Sequence, residues 1–97
     1  MILYDAKLAL RITVDAYDDE IASLIAAAKA DLQIAGVLLP ENDDSLDDLA
    51  KRAIITYCRM HFGSPADYDR LKSAYDEQKA QMATATGYTD WGDDDDA

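Results

Sequence analysis

The sequence predicts a small all-α domain, and three observations support that fold class. Alanine, leucine and isoleucine are common, whereas the chain has four glycines and two prolines, a composition that favours helices. Apolar residues recur at steps of three and four in several segments, which is the spacing of an amphipathic helix. We find no internal repeat and no strand-like alternation of apolar and polar residues. The 97 residues are long enough for one domain with its own core.

We expect one short helix followed by three longer ones. Asp5 would cap the short helix, which would run from Ala6 to about Arg11 with Leu8 facing the core. The second helix would begin after an Asp15 cap and end at Gly36, since glycine commonly follows the last turn of a helix. The predicted core-facing residues of the second helix are Ile21, Leu24, Ile25, Ala28 and Leu32.

The third helix is predicted over Ser45–Phe62 and is the helix around which the domain is built. Ser45 would cap it, with Asp48 three residues later in a pattern close to a capping box, and Gly63 would stop it. Its apolar stripe is Leu46, Leu49, Ala50, Ala53, Ile54, Tyr57 and Cys58. Further apolar residues lie outside this stripe, so we expect a central helix or one with a partner on its far side.

A fourth helix would begin at a Ser64 cap, with Pro65 in the first helical position, and would run to about Ala83. Its expected stripe is Tyr68, Leu71, Tyr75, Gln78 and Met82. From Thr84 onward threonine, glycine and aspartate replace the helical pattern. The sequence therefore divides into a helical domain over residues 1–83 and an extended acidic, tryptophan-containing tail over residues 84–97.

The charge of the chain limits its partners. The net charge is −11, and the last nine residues carry five aspartates and no base. Such a surface repels phosphates and anionic membranes, so we expect neither specific nucleic-acid binding nor membrane binding. No apolar run is long enough to span a bilayer, and no signal-peptide layout is present, so a soluble cytosolic protein is expected. One cysteine cannot form an internal disulfide.

Few residues offer chemistry, and we expect no enzyme activity, no cofactor and no metal. Cys58 and His61 lie three apart and could form half a metal site or a thiolate–imidazole pair. No other cysteine or histidine exists to complete a tetrahedral site, and a cysteine on a buried stripe is usually a small apolar residue. The acidic clusters lack the spacing of a calcium loop and are better explained as solvated helix starts and a solvated tail.

The far side of the third helix carries an unusual stripe for so acidic a chain. Arg52, Ile55 and Arg59 occur at i, i+3 and i+7, with Lys51 beside them. One interpretation is intramolecular: the bases pair with the chain's own acids and Ile55 packs under the fourth helix. The other is a subunit contact with the acidic start of a neighbour's second helix. The acidic residues proposed for that contact are Asp18, Asp19 and Asp31.

Two further segments are candidates for docking to a partner. Tyr88 and Trp91 are aromatic residues in the acidic tail, and they could enter a basic, apolar-lined groove, fold back on the domain or do neither. Val37, Leu38 and Leu39 form an apolar run in a predicted loop. We expect that run to fold onto the core, with a partner contact as the alternative.

The order of these features resembles a known family. The run Leu8–Ile12, the acidic turn Asp15–Glu20 and the segment Ile21–Leu32 resemble the start of the head–tail connector (adaptor) proteins of tailed bacteriophages. The segment Leu49–Phe62 resembles the central helix of that family. The likeness covers roughly residues 3–83, and the aspartates Asp93–Asp96 are not part of the family pattern.

The resemblance implies a structural virion protein that is not an enzyme. Such proteins form a ring, typically of twelve copies, below the portal protein, where they extend the DNA channel, help to retain the genome and bind the next tail or stopper component. They are located at the head–tail interface, and in the host cytoplasm before assembly. A second hypothesis is a small acidic inhibitor or DNA mimic that occupies a basic cleft on a partner. A weaker third one is an acid–base enzyme that uses Cys58 and His61.

Overall fold

A computed structural model describes residues 2–42, 45–63 and 66–84, and these residues form four helices and no strand. The helices are α1 (Ile2–Leu10), α2 (Asp18–Ile34), α3 (Asp48–His61) and α4 (Tyr68–Thr84). The predicted all-α fold of one short and three longer helices is confirmed. The acidic tail, Ser64 and Pro65 lie outside the described residues. The fourth helix begins at Tyr68 after a turn at residues 66–67, so the predicted start of this helix at Pro65 was wrong.

Helix α3 lies at the centre of the fold, because it packs against each of the other three helices. Its buried residues are Ala50, Ala53, Ile54, Thr56, Cys58 and Met60. The cap differs from the expected one: the side chain of Asp47, rather than Ser45, accepts a hydrogen bond of 2.9 Å from the backbone N–H of Ala50. With this later start, Leu49 lies on the solvent side of the first turn and is 43 % exposed, so its predicted place in the core was wrong.

Helix α1 begins earlier than predicted, and this changes which side faces the core. Because it starts at Ile2, its inner face is formed by Ile2 and Ala6, one helical turn apart. Leu8 lies on the opposite side and is 59 % exposed, so the expectation that it faces inward was wrong. Arg11 follows the helix with φ of 60°, a left-handed conformation that lets the chain turn away after a single short helix.

Helix α2 buries Ile21, Ile25, Ala28 and Leu32 as predicted, with Leu24 half-buried. Asp15 does not cap it: the N-cap is Tyr17, which makes no side-chain capping bond. The carboxylate of Asp15 instead accepts a hydrogen bond of 3.2 Å from Nζ of Lys7. The helix ends as expected, since Gly36 adopts φ of +97°, a conformation that glycine adopts without strain.

Helix α4 runs antiparallel to α3, as two ring contacts show. The ring centroids of Tyr57 and Tyr75 are 5.4 Å apart, and those of His61 and Tyr68 are 6.2 Å apart. The start of α4 therefore lies beside the end of α3. Of the predicted stripe of α4, Leu71, Tyr75 and Met82 are buried, Gln78 is half-buried and Tyr68 is exposed.

A polar network joins α2 to α4. The hydroxyl of the buried Tyr75 donates a hydrogen bond of 2.6 Å to a carboxylate oxygen of Asp31, and Nζ of Lys79 lies 3.1 Å from the same oxygen. Burial alone would raise the pKa of Asp31, but the hydrogen bonds from Tyr75 and Lys79 outweigh burial and hold the pKa below its usual value. The ionised carboxylate is thus the form that the folded state favours.

Tyr75→Phe is expected to lower the free energy of unfolding by about 1 kcal/mol, since it removes one hydrogen bond but keeps the ring in the core. The midpoint of urea denaturation at an unchanged m-value measures this loss. Tyr57→Phe is the matched control, because the Tyr57 hydroxyl has no hydrogen bond within the described part of the chain. Equal losses in the two variants would contradict a stabilising role for the bond to Asp31.

The same network predicts how stability depends on pH. A carboxylate whose folded-state pKa lies below its unfolded value stabilises the fold above the unfolded pKa, and this contribution is lost as pH falls through the folded pKa. Asp31→Asn should therefore be less stable than the wild type at pH 7 and should lose less stability on acidification below pH of about 4. Denaturation series at several pH values check this. Parallel acid profiles for the two proteins would contradict it.

Candidate functional site

A groove of 580 Å³ lies between α3 and α4, with Asp5 of α1 and Asp48 also in its lining. Its cations are Lys51, Arg52, Arg59 and Arg70, and its apolar wall consists of Ile55, Leu71 and Ala74. We call this surface the basic groove. It holds four of the nine Lys and Arg residues of a chain whose net charge is −11.

The regular geometry of α3 places the candidate interface residues in this groove. Ala53, Ile54 and Cys58 face the core, so Arg52 and Arg59 project from the other side and are exposed. Ile55 and Lys51 are half-buried, and Ile55 packs against the core. The structure thus brings together all four residues that the sequence predicts as one side of a subunit contact.

Three of the four cations of the groove differ from Arg70, and from most other bases, because they have no ion pair in the part of the chain that the structure describes. Lys7, Arg70, Lys72 and Lys79 each form an ion pair with an aspartate. Within residues 2–42, 45–63 and 66–84, Lys51, Arg52 and Arg59 form none. Among the described residues, the intramolecular interpretation therefore holds for the packing of Ile55 but not for the pairing of these three bases.

Two of the three predicted acidic partners are already engaged within the chain. Asp18 lies 2.7 Å from Nζ of Lys7, and Asp31 binds Tyr75 and Lys79. Asp19, in the first turn of α2, is exposed. The structure does not place these acids in the basic groove of the same molecule, so they do not neutralise it.

Cys58 and His61 do not form a reactive pair. Cys58 is fully buried, and burial raises the pKa of its thiol to about 11, so the thiolate is scarce at neutral pH. His61 is exposed, and its ring centroid lies 4.3 Å from that of Tyr57. No group of three or more potential metal ligands occurs in the part of the chain that the structure describes.

The other predicted docking residues have different locations. Val37 is fully buried and belongs to the core, as the fold-back interpretation expects, while Leu38 and Leu39 are half-buried. With its side chain enclosed, Val37 offers no contact to a partner. Tyr88 and Trp91 lie outside the described residues.

An exposed apolar face of α1 was missed by the sequence reasoning. Tyr4 and Leu8, one turn apart, are 61 % and 59 % exposed. Starting the helix at Ile2 in the sequence would have revealed this face, because the helical period then puts both residues opposite Ile2 and Ala6. The domain therefore presents an apolar face on α1 as well as the basic groove.

The surfaces alone do not show which family the chain belongs to, whereas comparison with known families does. The profile of a family described as "Phage connector protein" matches residues 2–89, which is most of the chain. The chain belongs to this phage connector protein family. The resemblance to head–tail connectors is thereby confirmed. Searches of curated proteins and of solved structures each found no match.

Membership gives the connector a structural role as a virion component of a phage. A protein of this family interacts with other components of the phage particle. Within its described residues, the connector has no helix that is long and apolar enough to cross a membrane.

Proposed function

We propose that the connector assembles into a ring, of twelve copies, below the portal protein, where it extends the DNA channel and joins the capsid to the tail. Family membership over residues 2–89 is the observation that carries this proposal. The ring, its copy number and its position are what the resemblance to head–tail connectors implies. The geometry of the subunit supports the proposal by supplying unlike surfaces for head-to-tail contacts.

The basic groove is the first of these surfaces. In the proposed contact, Arg52 and Arg59 bind acidic residues at the start of a neighbour's α2, with the exposed Asp19 as the principal partner. Asp18 and Asp31 take a smaller part, because each already has an ion pair within its own chain. Contact between two different surfaces closes into a ring when the rotation between subunits divides a full circle.

The acidic character of the connector supports its place along a DNA channel. A surface with a net charge of −11 repels the phosphate backbone. DNA would therefore pass through the ring without binding to it. The same proposal assigns Tyr88 and Trp91 to a contact with the portal, since aromatic side chains dominate the energy of many protein interfaces.

The test is to mix the purified connector with portal rings of the same phage and to image the mixture by electron microscopy. We expect an extra ring stacked on the portal, with a rotational symmetry that gives the copy number. Absence of association at high protein concentration would contradict the proposal. A monomer in the absence of portal would not, because the portal can act as the template. Capture of a DNA-binding enzyme in competition with duplex DNA would instead favour the acidic inhibitor or DNA mimic.

A further inference from the structure

We propose that the basic groove binds the acidic C-terminal segment of its own chain, residues 85–97, before the connector assembles. The binding itself depends only on the groove and the segment. Its consequence for assembly rests on the proposed function. Three properties favour this segment as the occupant of the groove: its charge, the distance that it can span, and the apolar and cationic lining of the groove.

The charges of the groove and of residues 85–97 are complementary. Lys51, Arg52 and Arg59 lie within one groove and have no ion pair among the described residues. Residues 85–97 contain five aspartates and no base. Apart from the groove, the Lys and Arg residues that the structure describes are mostly paired already. Although Asp5 and Asp48 also line it, the groove therefore offers this segment three cations that have no ion pair among the described residues.

The end of α4 lies close enough to the groove for the segment that follows it to bind there. The two helices are antiparallel, so the end of α4 at Thr84 lies at the same end of the groove as Asp48. Trp91 lies seven positions after Thr84, and at roughly 3.3–3.6 Å per residue this stretch reaches up to about 25 Å. The part of α3 from Asp48 to Arg59 is about 17 Å long at about 1.5 Å per residue. Trp91 can thus reach any point along the groove.

The groove also suits an occupant that has an aromatic residue beside its acids. Ile55, Leu71 and Ala74 provide apolar surface between the cations. Oε1 of Gln78, in the same wall, is buried and accepts no hydrogen bond from the described residues. An indole is a large apolar group with a single N–H donor. Trp91 would cover the apolar wall, and if the Gln78 side chain rotated toward the groove its Oε1 would accept a hydrogen bond from the indole N–H.

The segment and the groove belong to the same chain, and this favours binding of the chain's own segment over that of another copy. A short tether gives an effective concentration in the millimolar range, which exceeds the concentration of other copies in a dilute solution. In a ring, acidic residues of a neighbour would compete for the same cations and displace the segment. The displaced Tyr88 and Trp91 would then become available to the portal, so that ring formation and portal docking are coupled.

Trp91 is the only tryptophan of the chain, so its fluorescence reports directly on the segment. We expect the full-length protein at low salt to emit at shorter wavelength, and to be quenched less by acrylamide, than N-acetyltryptophanamide. Both differences should disappear in Arg52→Glu/Arg59→Glu, and both should decrease in about 1 M NaCl, where the screening length is about 3 Å. The wild-type signal should not change with protein concentration.

The matched control is Arg11→Glu/Lys72→Glu, which makes the same change in net charge outside the groove and should keep the wild-type emission. Far-UV circular dichroism verifies that both double variants are folded. A wild-type spectrum like that of the free amide, or an equal effect of the two double variants, would overturn the proposal. A shift that grows with protein concentration would also overturn it, because the occupant would then be another copy. None of these results depends on the portal, so failure of ring assembly is a separate outcome.

Discussion

Ile54→Asp is expected to unfold the connector. The side chain of Ile54 is 0 % exposed at the centre of α3, the helix that packs against all three others. A carboxylate at this position would be buried without a partner, at a cost of roughly 3–5 kcal/mol. That is a large part of the roughly 5–15 kcal/mol that stabilises a typical domain. Loss of the helical signal in far-UV circular dichroism at 25 °C, or a melting transition far below that of the wild type, would show it.

Leu49→Asp is the control for this prediction. Leu49 lies five residues earlier on the same helix and is 43 % exposed, so the new carboxylate stays in water. It also lies in the first turn, where negative charge interacts favourably with the helix dipole. We expect a change of about 0.5 kcal/mol or less. Unfolding of both variants would mean that α3 tolerates no charge on either side, contrary to the burial pattern described above.

Arg59→Glu is expected to block ring assembly on the portal while leaving the fold of the monomer intact. Arg59 is exposed, lines the basic groove and has no ion pair among the described residues, so the free energy of unfolding should change by about 0.5 kcal/mol or less. At the proposed interface, reversal of its charge places like charges opposite each other, which costs several kcal/mol for each contact around the ring. Electron microscopy of mixtures with portal rings, together with thermal melting of the free protein, measures both quantities.

Lys72→Glu provides the comparison for Arg59→Glu. Lys72 lies on α4 outside the groove, and its Nζ pairs with Asp76 at 2.7 Å, an exposed pair that contributes little to stability. This variant should melt close to the wild type and should still form the stacked ring. If Arg59→Glu lowered the melting temperature as much as it reduced assembly, the residue would belong to the fold, and our assignment of the groove as an interface would be wrong.

The helices could be predicted from the sequence because periodicity is a property of many residues at once. In α2 the stripe from Ile21 to Leu32 has the helical period throughout, so the buried face was predicted correctly. The ends of helices depend on single side chains. Several residues near the start of α3 can cap, and in the structure Asp47 does so, directly after the buried Leu46.

The start of α1 was missed for a similar reason. Asp5 is a residue type that often caps helices. In the structure, however, the helix begins before it, at Ile2, and Ile2 and Ala6 are buried. The predicted helix left out Ile2, which with Ala6 defines the inner face, and Leu8 was therefore assigned to the core. This error is easier to make in a short helix such as α1, because few residues define which side faces the core.

The candidate site was predictable in part. The stripe of Arg52, Ile55 and Arg59 is local to one helix, so sequence spacing alone places the three together. Arg70 and Leu71 complete the groove from α4, and that juxtaposition depends on how two helices pack. The hydrogen bond between Asp31 and Tyr75 links residues 44 positions apart, and no local sequence pattern predicts it. An acidic residue with an internal partner looks the same in a sequence as one that is free.

The separation of charge on the connector also has a consequence for the rate at which subunits meet. Unpaired cations are gathered in the basic groove, while the first turn of α2 carries three acids and the molecule as a whole is strongly negative. In the proposed ring contact, this separation of charge would favour the approach of one copy with its groove toward the acidic turn of the next. Added salt screens these charges, so it should slow association and also weaken the finished contact.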